Sequence, residues 1–265
     1  WPANSGGITD PLTGGLLTQL GDVCVWALSR SAIGADIARW QAARPVLNAI
    51  KLAGYIDDPD LSPWDWIRDE VLPLMPLEVQ SSPEGVIPIV RQLDRRTADA
   101  TTRVDAGPDF SPDGPMTTTS ERVDLVNHAS IRFAEDIADT QNRRTLTVQA
   151  TVDTSDPDTF ASPHALFSAS RYGERRSELS TRYVYDSASA GAILQQHLRA
   201  NCYPTVTRIY RAAPRWGWLE IGAALLLTDT DIGLTDRLVE VIGRRWDGDA
   251  WLYNLAFDED PLRET

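Results

Sequence analysis

The alternation of apolar and polar positions divides the chain into a helical first third, a strand-rich middle and a C-terminal series of strands interrupted by one helix. The clearest pattern lies at 218–258. Three apolar runs, 219–227, 238–245 and 251–257, are separated by Asp229-Thr-Asp-Ile-Gly233 and Asp247-Gly248-Asp249. An Asp-Gly pair between such runs predicts a hairpin, because the tight turn needs positive φ at its centre. In the last run Trp251, Tyr253, Leu255 and Phe257 share one face at period two, and Asn254 and Ala256 share the other. That spacing predicts a half-buried antiparallel strand with a broad aromatic face.

Upstream, residues 1–13 are rich in Gly, Pro, Asn and Ser and read as a linker. From 16 to 53 the period becomes helical: Leu16, Leu17, Leu20, Val23 and Cys24 fall on one face, and Asp36 precedes a second segment at 37–44. Pro45 fits the first turn of a further run, 46–53, ended by Gly54. Ser62-Pro63-Trp64-Asp65 carries a helix start, with a cap, a first-turn proline and an acidic side chain at the positive end. It turns Trp66, Ile67, Val71 and Leu72 inward before Pro73 breaks the helix. The runs 77–80 and 86–90 predict a hairpin, 93–120 an extended connection with room for one strand, and 123–133 with 144–151 a second hairpin around 136–142. An acidic loop at 153–163 and a strand at 181–185 follow. Ser187 then caps a helix in which Ala190, Ile193, Leu194, His197 and Leu198 recur at three- and four-residue steps; Asn201 closes it and Pro204 stops it. A strand at 205–211 leads into the final runs. The class is α+β, mostly antiparallel β-barrel or sandwich domains with a helical insertion. The expected domains are a linker (1–15), a helix-rich insertion domain (16–90), a β-rich segment (91–185) and a C-terminal barrel segment with one helix (186–265).

The 265 residues suffice for a substantial core, and 42% hydrophobic with 24% charged is a globular composition. Net charge is −13, and Lys51 is the single lysine among 25 basic residues. An acidic, lysine-poor surface argues against gripping nucleic acid through its phosphates, which takes clustered positive charge. It suits either plain solubility or a wall that nucleic acid slides past. No apolar run approaches the roughly 20 residues that cross a bilayer. The sequence opens on Trp1 with no secretion signal, so a processed chain or a portion of a longer polypeptide is expected.

Candidate chemistry is sparse. Asp229-x-Asp231-x-Gly233 begins like a calcium loop but lacks the downstream Glu, and Asp153, Asp156 and Asp158 form a similar acidic loop; plain turns explain both. His128, His164 and His197 stand apart from one another and from any cysteine at metal-ligand spacing. Cys24 and Cys202 read as small buried apolar residues. No Gly-x-Ser-x-Gly, Walker loop or dinucleotide fingerprint is present. Nine tryptophans remain to be accounted for, and Trp216-Gly217-Trp218 is the outstanding group. It reads equally as an exposed aromatic platform, for a sugar or a protein, and as a rim packed on the C-terminal barrel.

The order of these features resembles a known pattern. Tyr172-Gly173, a strand at 181–185, the 187–201 helix, a Tyr-Pro and a strand are followed by "Leu-x-Ile-Gly…Leu-Leu-Leu-Thr", "Gly-Leu…Leu-Val-Glu-Val-Ile-Gly-Arg-Arg" and "Trp-x-Tyr-x-Leu". This is similar to the tail hub (baseplate hub, tail-tip) proteins of long-tailed bacteriophages and gene transfer agents. Asp124-Leu-Val-Asn-His-Ala-Ser-Ile-Arg-Phe133 is like the strand opening their second barrel segment, and Asp36–Trp40 with Ser62–Trp66 resembles their helical insertion. Ala223 departs from the Asp that often follows the family's Gly, and the N-terminal barrel strands of a complete hub are not evident. The resemblance implies a structural component of the virion tail tip. Three copies would form a ring that joins the tail tube to other tail proteins and lets DNA pass without specific binding. It implies no catalytic residue, cofactor, metal or membrane anchor. The competing readings are a tail-associated cell-wall hydrolase and a glycan-binding module built on Trp216 and Trp218.

Overall fold

A computed structural model describes residues 17–53, 62–75, 77–82, 85–90, 100, 102–118, 125–136 and 141–258. The expected linker at 1–15, Gly54 as a helix end and the centre of the 136–142 turn lie outside the described residues. Contacts divide the chain into two compact units, each assembled from two separated stretches: Trp1–Arg91 with Asn127–Ala200, and Gln92–Val126 with Asn201–Thr265.

The first unit opens with α1 (Leu20–Leu28) and α2 (Ile37–Leu47). Asp36 caps α2 by accepting the Arg39 N–H at 3.1 Å. The Asp22 carboxylate joins the two helices by accepting from Arg44 Nε at 2.7 Å and Asn48 Nδ2 at 3.3 Å. Pro45 lies inside α2 instead of opening a helix at 46–53. Its missing N–H removes the helical donor to the carbonyl four residues back, and the helix closes at Leu47, after which turns lead to a bridge between Lys51 and Gln19.

The expected start at Ser62 is present: its hydroxyl accepts the Asp65 N–H at 3.1 Å and opens α3 (Pro63–Trp66). The path then widens into a π turn, Ile67–Val71, where the Leu72 N–H reaches back five residues to Ile67, and a 3-10 turn, Leu72–Leu74, holds Pro73. Trp66, Ile67 and Val71 are buried as the period predicts. The Trp66 ring meets Tyr183 edge-on, 5.6 Å between centroids. Strands β1 (Leu77–Ser82) and β2 (Gly85–Val90) form the expected hairpin, Leu77 opposite Val90. Gly85 is required there. At φ 117° its backbone lies so close to Gly34 that a Cβ would fall 2.5 Å from the Gly34 carbonyl.

Residues 127–200 add a four-stranded sheet. Strands β6 (His128–Asp136) and β7 (Gln141–Gln149) are the predicted second hairpin, with Ile131 opposite Leu146. β8 (Thr159–Ala161) runs parallel to β7 and β9 (Arg176–Ser180) parallel to β6, giving the order β8-β7-β6-β9. The strand expected at 181–185 is therefore β9, five residues earlier. Its alternating polar side chains suit an edge with one half-buried face. Between β8 and β9 lies α4 (Pro163–Tyr172), a helix that the sequence pattern does not predict, ended by Gly173 at φ 76°. α5 (Ser187–Asn201) buries Ala190, Ile193, Leu194 and Leu198 as its period predicts, with Gly191 against Leu146 of β7. Its cap is Asp186, one residue before Ser187, accepting the Ser189 N–H at 2.8 Å.

The second unit is one seven-stranded sheet. Three short strands, β3 (Thr102–Asp105), β4 (Phe110–Pro112) and β5 (Thr117–Thr118), occupy the stretch expected to be mostly connection. They flank β10 (Thr205–Ala212), β11 (Ala224–Asp229), β12 (Leu234–Trp246) and β13 (Trp251–Asp258) in the order β3-β11-β12-β13-β10-β4, with β5 also on β10. All pairs are antiparallel except β3–β11. The sheet curls into a half-barrel around Phe110, Tyr210, Leu225, Leu227, Val241, Tyr253 and Leu255. Among the described residues β3 and β4 do not pair, so the barrel stays open. Trp251, Tyr253, Leu255 and Phe257 turn to this core as predicted, and Leu252 and Ala256 on the opposite face are buried as well. Thus the α+β class with mostly antiparallel sheets describes the protein.

Candidate functional site

The half-barrel divides the Trp216-Gly217-Trp218 group. Trp216 lies in a 3-10 turn, Pro214–Trp216, and packs inward against Phe110, 5.6 Å between centroids. Trp218, two residues on, is 58% exposed, with its ring 6.2 Å from Trp216. The two alternatives for this motif therefore each hold for one ring: Trp216 is rim packing and Trp218 is outward surface.

The segment is held from three sides. The Tyr253 hydroxyl donates to the Trp216 carbonyl at 2.7 Å, and burial pushes its pKa up, which keeps that donor protonated. Arg244 Nη1 donates to the Leu219 carbonyl at 2.8 Å and the Gly217 carbonyl at 3.3 Å, while its guanidinium lies 5.3 Å over the Trp251 ring. Gly217 closes against the same ring, since a Cβ there would fall 2.7 Å from Trp251 Nε1 and 3.2 Å from the Pro214 carbonyl. Gly217→Ala is accordingly expected to cost about 1–3 kcal/mol by overpacking. Urea unfolding followed by tryptophan emission checks it; an unchanged midpoint would show that Trp251 moves aside freely.

Trp251 also carries the surface onward. Its ring meets Trp246 at 5.2 Å in a T-shaped pair, and Trp246 is 47% exposed. Periodicity alone does not single out Trp246. The signal is its place: Trp246 and Trp251 flank the Asp247–Ala250 turn and face each other across it in the β12–β13 register. Arg211 grips the turn through Asp247 at 3.0 Å and through Asp249. The result is an aromatic ridge with two outward rings, Trp218 and Trp246, carried on a clamped turn and a hairpin.

The acidic motif at 229–233 is structural. Asp229, 1% exposed, accepts the Tyr210 hydroxyl at 2.6 Å and Arg208 Nη1 at 2.9 Å through one oxygen. Its other oxygen takes the Asp231 N–H at 3.2 Å and caps a 3-10 turn, Thr230–Ile232, that ends at Gly233 with φ 72°. The carboxylate that would open a calcium loop thus points into the half-barrel. Burial, then the hydrogen bond to Asp229, pushes the Tyr210 hydroxyl pKa well above its ordinary value. In the other acidic loop, Asp153 accepts from the hydroxyl and N–H of Ser155, and Asp156 from the N–H of Asp158, as turn-forming side chains do.

The structure keeps the remaining polar candidates apart. His128 Nδ1 lies 3.1 Å from Glu174, and His197 Nε2 lies 3.4 Å from Ser177 Oγ, with burial lowering the pKa of His197. Cys24 and Cys202 are both fully buried. Burial pushes the Cys24 thiol up to about 12, so it stays protonated and is not a nucleophile at neutral pH. Among the described residues no three His, Cys, Asp or Glu side chains gather at metal-binding distance, and no helix is long and apolar enough to cross a membrane.

No protein-family model and no curated protein matches the chain. Solved structures do. The chain is similar to prophage tail protein gp18 from Listeria monocytogenes EGD-e, with TM-score 0.35 and 13% identity over 70% of this chain and 50% of that one. It is similar to a chain of the virion of a native gene transfer agent particle, with TM-score 0.45 and 13% identity over 85% of this chain and 47% of that one. It is also similar to the 43 kDa tail protein of prophage MuSo2 from Shewanella oneidensis, with TM-score 0.45 and 11% identity over 91% and 66%. The chain spans about half the length of the first two.

Proposed function

We propose that the chain is a structural component of a phage or phage-like tail tip, a hub ring of three copies. The ring would join the tail tube to the distal tail proteins and form part of the passage for DNA. The observation that carries this reading is the open half-barrel. Its β10–β13 core follows the hub-like order of elements read from the sequence, from the 187–201 helix through the closing Trp-x-Tyr-x-Leu strand. Among the described residues the two edges of the curled sheet have no further strand neighbour, and the backbone donors and acceptors of such edges are satisfied by assembly into a larger ring. The net charge of −13 fits a passage through which DNA moves without being held. No residue is assigned a catalytic role in this reading.

Quantitative mass spectrometry of purified particles from the source strain tests it. A few copies per particle, in a multiple of three and far below the major tube protein, is the expected result. Absence from particles overturns the assignment.

A further inference from the structure

The aromatic ridge of the half-barrel exposes indoles and little else that is apolar. Among the described residues of the second unit the large apolar side chains left exposed are Trp218, Trp246, Met116 and Ile209. Ile209 is in register with Asn254, on the face of the sheet turned away from Trp251 and Tyr253. Met116 leads into β5, which pairs with the opposite end of β10, at Val206 and Thr207. The ridge thus presents two flat rings and no large exposed aliphatic side chain.

Each outward ring stands beside an Arg–Asp pair. On the Trp218 side, the Arg215 guanidinium lies 5.9 Å over Trp216 and pairs with Asp109. On the other side Asp247 follows Trp246 directly, and Arg211 pairs with it and with Asp249. The carboxylates of Asp109, Asp247 and Asp249 are all more than half exposed, so each keeps acceptor positions open to a ligand. The rings are also set in place beforehand. Tyr253, Arg244 and the close seat of Gly217 on Trp251 fix the segment between them, which lowers the ordering cost of binding.

This combination selects a saccharide. A sugar ring has a C–H face, which lies on the electron-rich face of an indole, and a rim of hydroxyls that both donate and accept. A carboxylate and a guanidinium beside the stacking ring serve those hydroxyls with charge-assisted hydrogen bonds. A protein partner fits less well, since the cores of protein contacts are poor in Asp and the ridge has no aliphatic side chain to bury. Bases of a nucleic acid also stack on indoles, but the three carboxylates repel its phosphates.

We infer that Trp218 and Trp246 form a carbohydrate-binding ridge for a neutral oligosaccharide, each ring stacking one sugar and the adjacent Arg–Asp pair taking its hydroxyls. Trp216, packed inward, supports the site without touching the ligand. The inference goes beyond the hub reading and does not depend on it.

The test is affinity electrophoresis of the full chain through gels loaded with glycol chitin, hydroxyethyl cellulose or the deproteinised neutral polysaccharide of the source strain's envelope. At least one of these should retard the chain. Trp218→Ala and Trp246→Ala should each weaken the apparent affinity about tenfold, with an unchanged urea midpoint because both rings are exposed. The double variant should run as in an empty gel, and Asp247→Asn should weaken retardation less. Phe167→Ala, an exposed ring in the other unit, should leave it unchanged. Free migration in every gel overturns the inference, as does retardation that neither tryptophan variant reduces. A fall in sedimentation coefficient on Trp218→Ala or Trp246→Ala, without retardation of the wild type, overturns it in favour of a protein contact. The copy number in particles is measured separately, so each of these failures leaves the hub reading standing.

Discussion

Asp229→Ala lowers the stability of the half-barrel by about 3–5 kcal/mol, the range for removing one partner of a buried ion pair. The carboxylate is 1% exposed and the Arg208 side chain facing it 12%, and the same oxygen takes the Tyr210 hydroxyl. Truncation therefore leaves a guanidinium and a phenol buried without their acceptor, and the 230–232 turn loses its cap. Asp229→Asn is the informative partner. It keeps an acceptor for Tyr210 but removes the charge opposite Arg208, so its loss should fall between wild type and Asp229→Ala. Urea unfolding read by tryptophan emission measures both, since Trp216, Trp218, Trp246 and Trp251 all lie in this unit. A loss of about 1 kcal/mol or less for Asp229→Ala would show that Arg208 finds water on truncation, which is how exposed pairs behave.

The second large effect is at Phe110. This ring is fully buried at the centre of an aromatic cluster, 5.4 Å from Tyr210, 5.6 Å from Trp216 and 6.1 Å from Tyr253. Phe110→Ala should cost about 3–5 kcal/mol, from lost transfer energy and the cavity left behind. Phe110→Leu should cost under about 1.5 kcal/mol if volume dominates, and more if the ring geometry matters. A similar loss for both would show that the aromatic contacts stabilise the cluster more than the filled volume does. Because Tyr210 touches both Phe110 and the Asp229 network, the Phe110→Ala and Asp229→Ala effects should not add.

Phe110 also shows where the sequence stops being legible. It lies in a three-residue strand inside a stretch dense in Thr, Asp, Pro and Gly, too short for any period to appear, and it is recognisable as core only once β10 pairs with it. The helix α4 is hidden for a related reason. Its buried face is Ala165 and Ser168 while Leu166 and Phe167 face outward, so the amphipathic pattern is inverted. Where local chemistry decides the backbone, the sequence is directly readable. The Ser62 cap, the hairpin of β1 and β2, the Asp-Gly turn between β12 and β13 and the α5 stripe all rest on neighbours within a few residues. Which sheet the α5 stripe covers lies beyond its periodicity, and Gly191 against Leu146 answers it. At the aromatic ridge the motif 216–218 is visible in the sequence, but the sorting of one ring inward and one outward depends on Tyr253 and Arg244, distant along the chain.

The interleaving of the two units has a consequence for synthesis. A ribosome delivers β3, β4 and β5 first, then the whole of residues 127–200, and only afterwards β10 and β11, the strands they pair with. At about 5–20 residues per second those short strands wait for seconds. Meanwhile the β6–β7 hairpin and α5 emerge and can settle on one another, being near neighbours in the chain. The half-barrel is therefore finished last, after the other sheet has had time to form. Val104 and Phe110 are core side chains whose strand partners, Leu227 and Ala212, emerge more than a hundred residues later.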